Sequence, residues 1–248
     1  MSARSWDGFV ARYGARGYRC VAPPWPYLDG APQDLRRNVD PRLGRLSIGE
    51  IVDHYARVVR EQPETPILIG HSFGGLFVQM LLDRGLGAVG VAIDPAPPKG
   101  VLPGLSAVRA SLPVLMGWNA WRSVRPMSFA NFQWGWVHTM DERAQRQAYD
   151  AHVVPTSGRI FLQALLAQLT NDTKVNYRNN TRAPLLIIAG ELDRTVEARM
   201  DRDNFARYRG SGARTDFHQF PGRTHYICGQ PGWEEVADYA LDWVEHQA

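Results

Sequence analysis

Gly70-His71-Ser72-Phe73-Gly74 decides the reading of this chain because of what stands on either side of it. Before it runs Thr65-Pro66-Ile67-Leu68-Ile69, a short apolar segment of strand character. After it runs Gly75-Leu76-Phe77-Val78-Gln79-Met80-Leu81-Leu82, apolar at helical spacing. A strand that turns at once into a helix, with Gly-x-Ser-x-Gly at the corner, is the geometry that exposes a serine nucleophile. The serine must hold a strained backbone with its oxygen in the open. Side chains at Gly70 and Gly74 are expected to collide with the neighbouring strand and helix. The helix start supplies unpaired N–H groups and a positive dipole end, both suited to developing negative charge.

Outward from this corner, strand and helix patterns alternate. Trp6 to Arg16 reads as an amphipathic helix, and Tyr18-Arg19-Cys20-Val21-Ala22 as a strand ended by Pro23-Pro24. Residues 23–46 read as loop. Ser47 with Glu50 forms a capping-box pattern that opens a helix running to about Gln62. Gly87 to Asp94 is a buried strand. After the segment 95–182, Pro184 to Gly190 is a strand, Glu197 to Tyr208 a helix, Arg214 to Phe220 a strand and Trp233 to His246 a helix. Apolar strand runs alternating with helices predict a parallel sheet covered on both faces.

Segment 95–182 breaks the rhythm. It carries Trp118, Trp121, Trp134 and Trp136 with Met116, Met127 and Met140. Helical patches are expected at Leu105 to Leu115, Asp141 to His152 and Arg159 to Leu169. It reads as a helical lid inserted into a core formed by 1–94 and 183–248. Tryptophan-rich composition predicts an apolar pocket beneath it.

Bulk numbers fit one α/β domain: 248 residues, 44% hydrophobic, 21% charged, net charge +3. The cations are arginines apart from Lys99 and Lys174 and are dispersed among acids, which argues against a nucleic-acid or membrane surface. Cys20 and Cys228 are too few for a disulfide framework and read as reduced and incidental. With no apolar segment at its start and no run of membrane-spanning length, the chain is expected to be a cytoplasmic enzyme of bacterial type.

A serine hydroxyl needs a base within reach, itself oriented by a third group. Of seven histidines, His225 stands in Pro221-Gly222-Arg223-Thr224-His225-Tyr226, directly after the last strand. Reactive groups of an open parallel sheet gather beyond the carboxyl ends of strands. His71, beside the serine but pointing away from it, is a poor base. For the acid, Asp193 in Gly190-Glu191-Leu192-Asp193 follows a strand and is preferred over Glu191, which more plausibly caps or forms an ion pair. Asp94, ending an earlier strand, is the alternative.

The chain resembles the α/β-hydrolase family, of serine esterase and lipase type, over nearly its whole length. The resemblance rests on Gly-His-Ser-Phe-Gly-Gly at 70–75, Gly-Glu-Leu-Asp at 190–193, Gly-Arg-Thr-His at 222–225 and Arg-Gly-Tyr-Arg-Cys-Val-Ala-Pro at 16–23. It implies a doubly wound, mostly parallel sheet of eight strands, a helical lid after the sixth, no metal and no organic cofactor. It implies catalytic Ser72, Asp193 and His225 with the Phe73 N–H as an oxyanion donor, acting on a small-molecule ester.

One departure stands out. The family's second oxyanion donor comes from a His-Gly loop before the first helix, which this sequence lacks. That strand and loop would lie before Met1, or another group supplies the donor. The sheet edge left without its strand is a candidate surface for a homodimer. The expected activity is cleavage of small to medium carboxylic esters through an acyl-enzyme. A cofactor-free perhydrolase, a carbon–carbon bond hydrolase and a weakly catalytic binding protein are the alternatives.

Overall fold

The computed structural model describes residues 1–115 and 119–247. Met116 and Trp118 of the lid reading lie outside the described residues. After a 3-10 turn at Ala3–Trp6 come helices α1 (Asp7–Ala15), α2 (Pro32–Arg37) and α3 (Ile48–Arg60). The central part holds strand β1 (Ile67–His71), α4 (Phe73–Asp83) and β2 (Val89–Ile93). Then follow α5 (Leu105–Leu115), β3 (Val124–Arg125), α6 (Phe129–Gly135), α7 (Glu142–His152), β4 (Thr156–Ser157) and α8 (Gly158–Leu165). The chain ends through β5 (Leu185–Gly190), α9 (Ala198–Arg207), β6 (Thr215–Phe220) and α10 (Trp233–Glu245).

The main sheet is parallel, in the order β1-β2-β5-β6. Alternation along β2 and β5 assigns the two faces. Val91, Ile93, Leu186 and Ile188 pack with Phe9 and Tyr13 of α1 and with Val236, Ala240 and Leu241 of α10. Ala92, Leu185 and Ile187 face Ile51 and Val52 of α3 and Leu76 and Leu82 of α4. Every residue of β2 and β5 is buried, as a strand covered on both faces must be. At the start of α3 the Ser47 Oγ accepts the Glu50 N–H and the Glu50 carboxylate accepts the Ser47 N–H, a reciprocal cap worth about 1 kcal/mol.

Two expectations are corrected. Among the described residues the main sheet has four strands, not the eight that the resemblance implied, and Tyr18–Ala22 is not one of them. The Tyr18 N–H returns to Tyr13 O, and no ladder bond follows it. Strand pairing needs a neighbour about 4.8 Å away. Here a cavity separates Tyr18–Ala22 from the free edge of β1, and both segments line it.

Segment 95–182 carries a helix at each of the three expected patches: α5 coincides with Leu105 to Leu115, α7 begins at Glu142 and ends at His152, and α8 stops at Leu165 short of the expected Leu169, while α6 has no counterpart among the expected patches. The additional pair β3–β4 is antiparallel and two residues long, too short to leave a period in the sequence. Phe132, Val137, Ala148 and Val153 of this segment form a small core with Tyr226, which ties it to the loop that carries His225. No helix among the described residues is long and apolar enough to cross a membrane.

Candidate active site

Ser72 occupies the corner between β1 and α4 with φ 57° and ψ −121°, a conformation costing on the order of 1–3 kcal/mol that its surroundings must impose. They do so with four backbone bonds. The Ser72 N–H donates to Ile93 O at 3.0 Å, and Ser72 O accepts the N–H groups of Gly75 and Ala96, each at 2.9 Å, and of Leu76 at 3.2 Å. Gly70 is required sterically, since a Cβ there would lie 2.2 Å from Gly74 O. Gly74 is not: a Cβ there meets nothing within 4 Å. The close approach is instead at Gly75, where a Cβ would lie 2.9 Å from the Pro95 Cβ. The corner turns tightly enough to press Gly70 against the next turn and Gly75 against the chain leaving β2, while Gly74 faces open space.

Three strand ends converge on Ser72. Its Oγ lies 3.1 Å from His225 Nε2, and His225 Nδ1 lies 2.5 Å from Asp193 Oδ2. The other Asp193 oxygen accepts the N–H groups of Thr195 at 2.6 Å and Val196 at 2.8 Å, so the loop after β5 fixes this carboxyl. His225 is held from both sides of its own loop. The Thr224 hydroxyl donates to Trp136 O at 2.5 Å, and the Tyr226 N–H donates to the same carbonyl at 3.2 Å. The imidazole is fully buried, packed edge-on against Trp136 with centroids 4.3 Å apart and tilted against His71 at 4.6 Å.

Burial lowers His225 to about 3, so the ring is neutral and one nitrogen is free to accept a proton. Burial likewise holds His71 well below the usual histidine value. His71 makes no bond to Ser72, and its Nε2 is buried without a partner. Glu191, the acid passed over in the sequence, accepts the Gly222 N–H at 2.9 Å and braces the turn that leads to His225. Asp94 ends β2 with φ 41°, is wholly buried, and accepts the Gly190 N–H at 2.6 Å. Burial raises both Asp94 and Asp193 well above the usual carboxylate range.

The Phe73 N–H, first in α4, has no acceptor among the described residues. A cavity of about 1330 Å³ reaches Ser72 and Phe73. Leu112, Trp134, Phe161 and Leu165 form its wall on the side of segment 95–182, and Tyr18 and Ile69 its wall along the sheet edge. It is larger than the ~300–1,000 Å³ of most small-molecule pockets because it continues into the gap beside β1.

Donor atoms of His71, Asp94 and His225 lie within 4.8 Å of one another. His225, however, uses Nδ1 on Asp193 and Nε2 on Ser72. A cation here would compete with the serine for the same lone pair, so this set does not suit a resident metal. Sequence reasoning did not single out Trp136 or Thr224, whose contacts with His225 cross from another part of the chain and leave no local signal.

No curated protein sequence matches the chain. Solved structures do, at low identity. The monoacylglycerol lipase of Paleococcus ferrophilus is 19% identical with a TM-score of 0.68, covering 98% of this chain and 89% of that one. A pyrethroid hydrolase from Sphingobium faniae is 14% identical with a TM-score of 0.63, covering 98% and 93%. Methylketone synthase I of tomato, in complex with 2-tridecanone, is 12% identical with a TM-score of 0.71, covering 100% and 95%. At these identities the likeness is one of fold. The model of the alpha/beta hydrolase family matches residues 1–239. With its parallel sheet and its serine at the strand-to-helix corner, the chain belongs to the alpha/beta hydrolase family.

Proposed function

We propose that this alpha/beta hydrolase is a serine hydrolase that cleaves small to medium carboxylic esters through an acyl-enzyme. The observation that carries the reading is the continuous path from Ser72 Oγ to His225 Nε2 at 3.1 Å and from His225 Nδ1 to Asp193 at 2.5 Å. Ser72 attacks the ester carbonyl as His225 takes its proton. Asp193 fixes the ring orientation and stabilises the imidazolium that forms. The Phe73 N–H holds the oxyanion, and a donor of this kind contributes about 3 kcal/mol to the transition state. His225 then protonates the departing alkoxide. Water, deprotonated by the same ring, releases the acid and restores Ser72.

The apolar cavity supports an ester with an apolar acyl or alcohol part. The related structures described as a monoacylglycerol lipase and a pyrethroid hydrolase agree with ester chemistry. Assays of p-nitrophenyl esters of increasing acyl length test the reading. Turnover that vanishes in Ser72→Ala supports it, and turnover that persists at the same rate in Ser72→Ala refutes it.

A further inference from the structure

Two carboxyl groups meet beneath the imidazole. Asp94 closes β2 and Asp193 follows β5, the neighbouring strand in the sheet. Asp94 Oδ1 accepts the Gly190 N–H at 2.6 Å. Its Oδ2 is buried without any N–H or hydroxyl donor, and the Asp94 side chain stands within hydrogen-bond reach of the Asp193 carboxyl. Two carboxylate oxygens cannot bond to each other, since both are acceptors only. The contact becomes a bond when one of the two carries a proton.

We infer that Asp94 is a positioning residue that holds this proton and donates it as a hydrogen bond to Asp193. The inference rests on the reading of Ser72, His225 and Asp193 as a triad. Donor counts decide which group carries the charge. Asp193 receives two backbone N–H groups and the His225 Nδ1–H, whereas Asp94 receives one backbone N–H. Hydrogen bonds to a carboxylate favour its charged form, so the negative charge resides on Asp193 and the proton on Asp94.

The surroundings point the same way. Asp201 of α9 is buried, both its oxygens lack partners, and burial together with the nearby Asp94 and Asp193 carboxyls raises its own value well above the usual carboxylate range. The Cys228 thiol and the His71 ring also face this cluster, and Glu197 lies on the far side of Asp193. Two or three carboxylates ionised together in such a site would repel strongly. With its proton in place, Asp94 supplies a rigid donor from the sheet that keeps Asp193 aimed at the imidazole. Asp94 itself is fixed by the Gly190 N–H and by its left-handed backbone, a conformation that asparagine also tolerates.

The test pairs a conservative variant with a disruptive one. Asp94→Asn keeps a donor toward Asp193 and an acceptor toward Gly190. Asp94→Leu keeps neither, and is expected to lower kcat on p-nitrophenyl esters about ten- to a hundred-fold with little change in KM. Asparagine is expected to recover most of that loss. Infrared spectroscopy reads the proton directly, and stands even if Asp94→Leu fails to fold. Protein with ¹³C-labelled aspartate and Asp201→Asn, which removes the other buried protonated aspartate, should show a protonated-carboxyl band at neutral pH that persists when Ser72→Ala is added and is lost when Asp94→Asn is added. Loss of activity in Asp94→Asn as deep as in Asp193→Asn, or an unchanged band in Asp94→Asn, would overturn the inference while leaving the serine hydrolase reading intact. Full ester turnover in Ser72→Ala would instead end that reading, and the infrared result would still decide the location of the proton.

Discussion

His225 Nε2 lies 3.1 Å from Ser72 Oγ although 153 residues separate them in the chain. Neither side chain is placed by its own neighbourhood alone. Ser72 is driven outward by a strained corner, and His225 is delivered by a loop after β6 that is bonded to Trp136 O through Thr224 and Tyr226. The reach between them is therefore a property of the sheet, whose parallel strands end at one rim.

The corner itself makes a prediction that separates its glycines. Gly70→Ala places a Cβ 2.2 Å from a backbone carbonyl that has nowhere to move and should destabilise the fold by at least about 2 kcal/mol. Gly74→Ala meets no atom within 4 Å and, as a helical position, should be neutral or stabilising by about 0.5–1 kcal/mol. Urea unfolding of the two variants measures both. Equal destabilisation would show that the corner is looser than described.

How much of this was legible follows from which signals are local. The elbow, the Ser47–Glu50 cap and the bounds of α5 depend on residues within one or two helical turns, and they read directly from the sequence. Tyr18–Ala22 has the composition of a strand yet is none, because pairing depends on a neighbour that composition does not reveal. The role given to Gly74 failed for a similar reason: the residue that crowds the chain leaving β2 is Gly75. Asp94 and Asp193 each read as a strand-end acid. That they face one another requires knowing that β2 and β5 are adjacent, which an insertion of some ninety residues conceals.

Acid should act on stability through His225. Burial lowers its value from 6.5 in the folded protein, and the ionised Asp193 beside Nδ1 offsets part of that lowering. The neutral ring therefore contributes full stability above about 6.5. Below about 6.5 the unfolded chain binds a proton that the folded one takes up only at lower pH, and over that window stability falls by up to about 1.4 kcal/mol per pH unit. His225→Gln, which has no proton to gain, should lose less stability than the wild type between pH 7 and pH 5. Parallel losses in chemical denaturation would contradict the burial effect.

Asp201 predicts the opposite sign. Its buried, unpartnered carboxyl has its value raised well above 3.8, so the folded state holds a proton that the unfolded state releases as pH rises. Its cost to stability thus grows from about pH 4 upward until the folded group ionises. Asp201→Asn removes that titration, and its melting temperature relative to the wild type should be more favourable at pH 8 than at pH 5. A difference that shrinks with rising pH would mean that Asp201 ionises freely in the folded state.

In the proposed mechanism His225 and Asp193 activate the Ser72 hydroxyl. Labelling with a fluorophosphonate, read by intact mass and peptide mapping, tests it most directly, because the reagent needs an activated serine and no knowledge of the substrate. The account predicts a single adduct on Ser72, none in Ser72→Ala, and labelling slowed by about 10³-fold or more in His225→Ala and Asp193→Asn. An absence of adduct in the wild type, or labelling at Ser72 as fast without His225 as with it, would contradict the account.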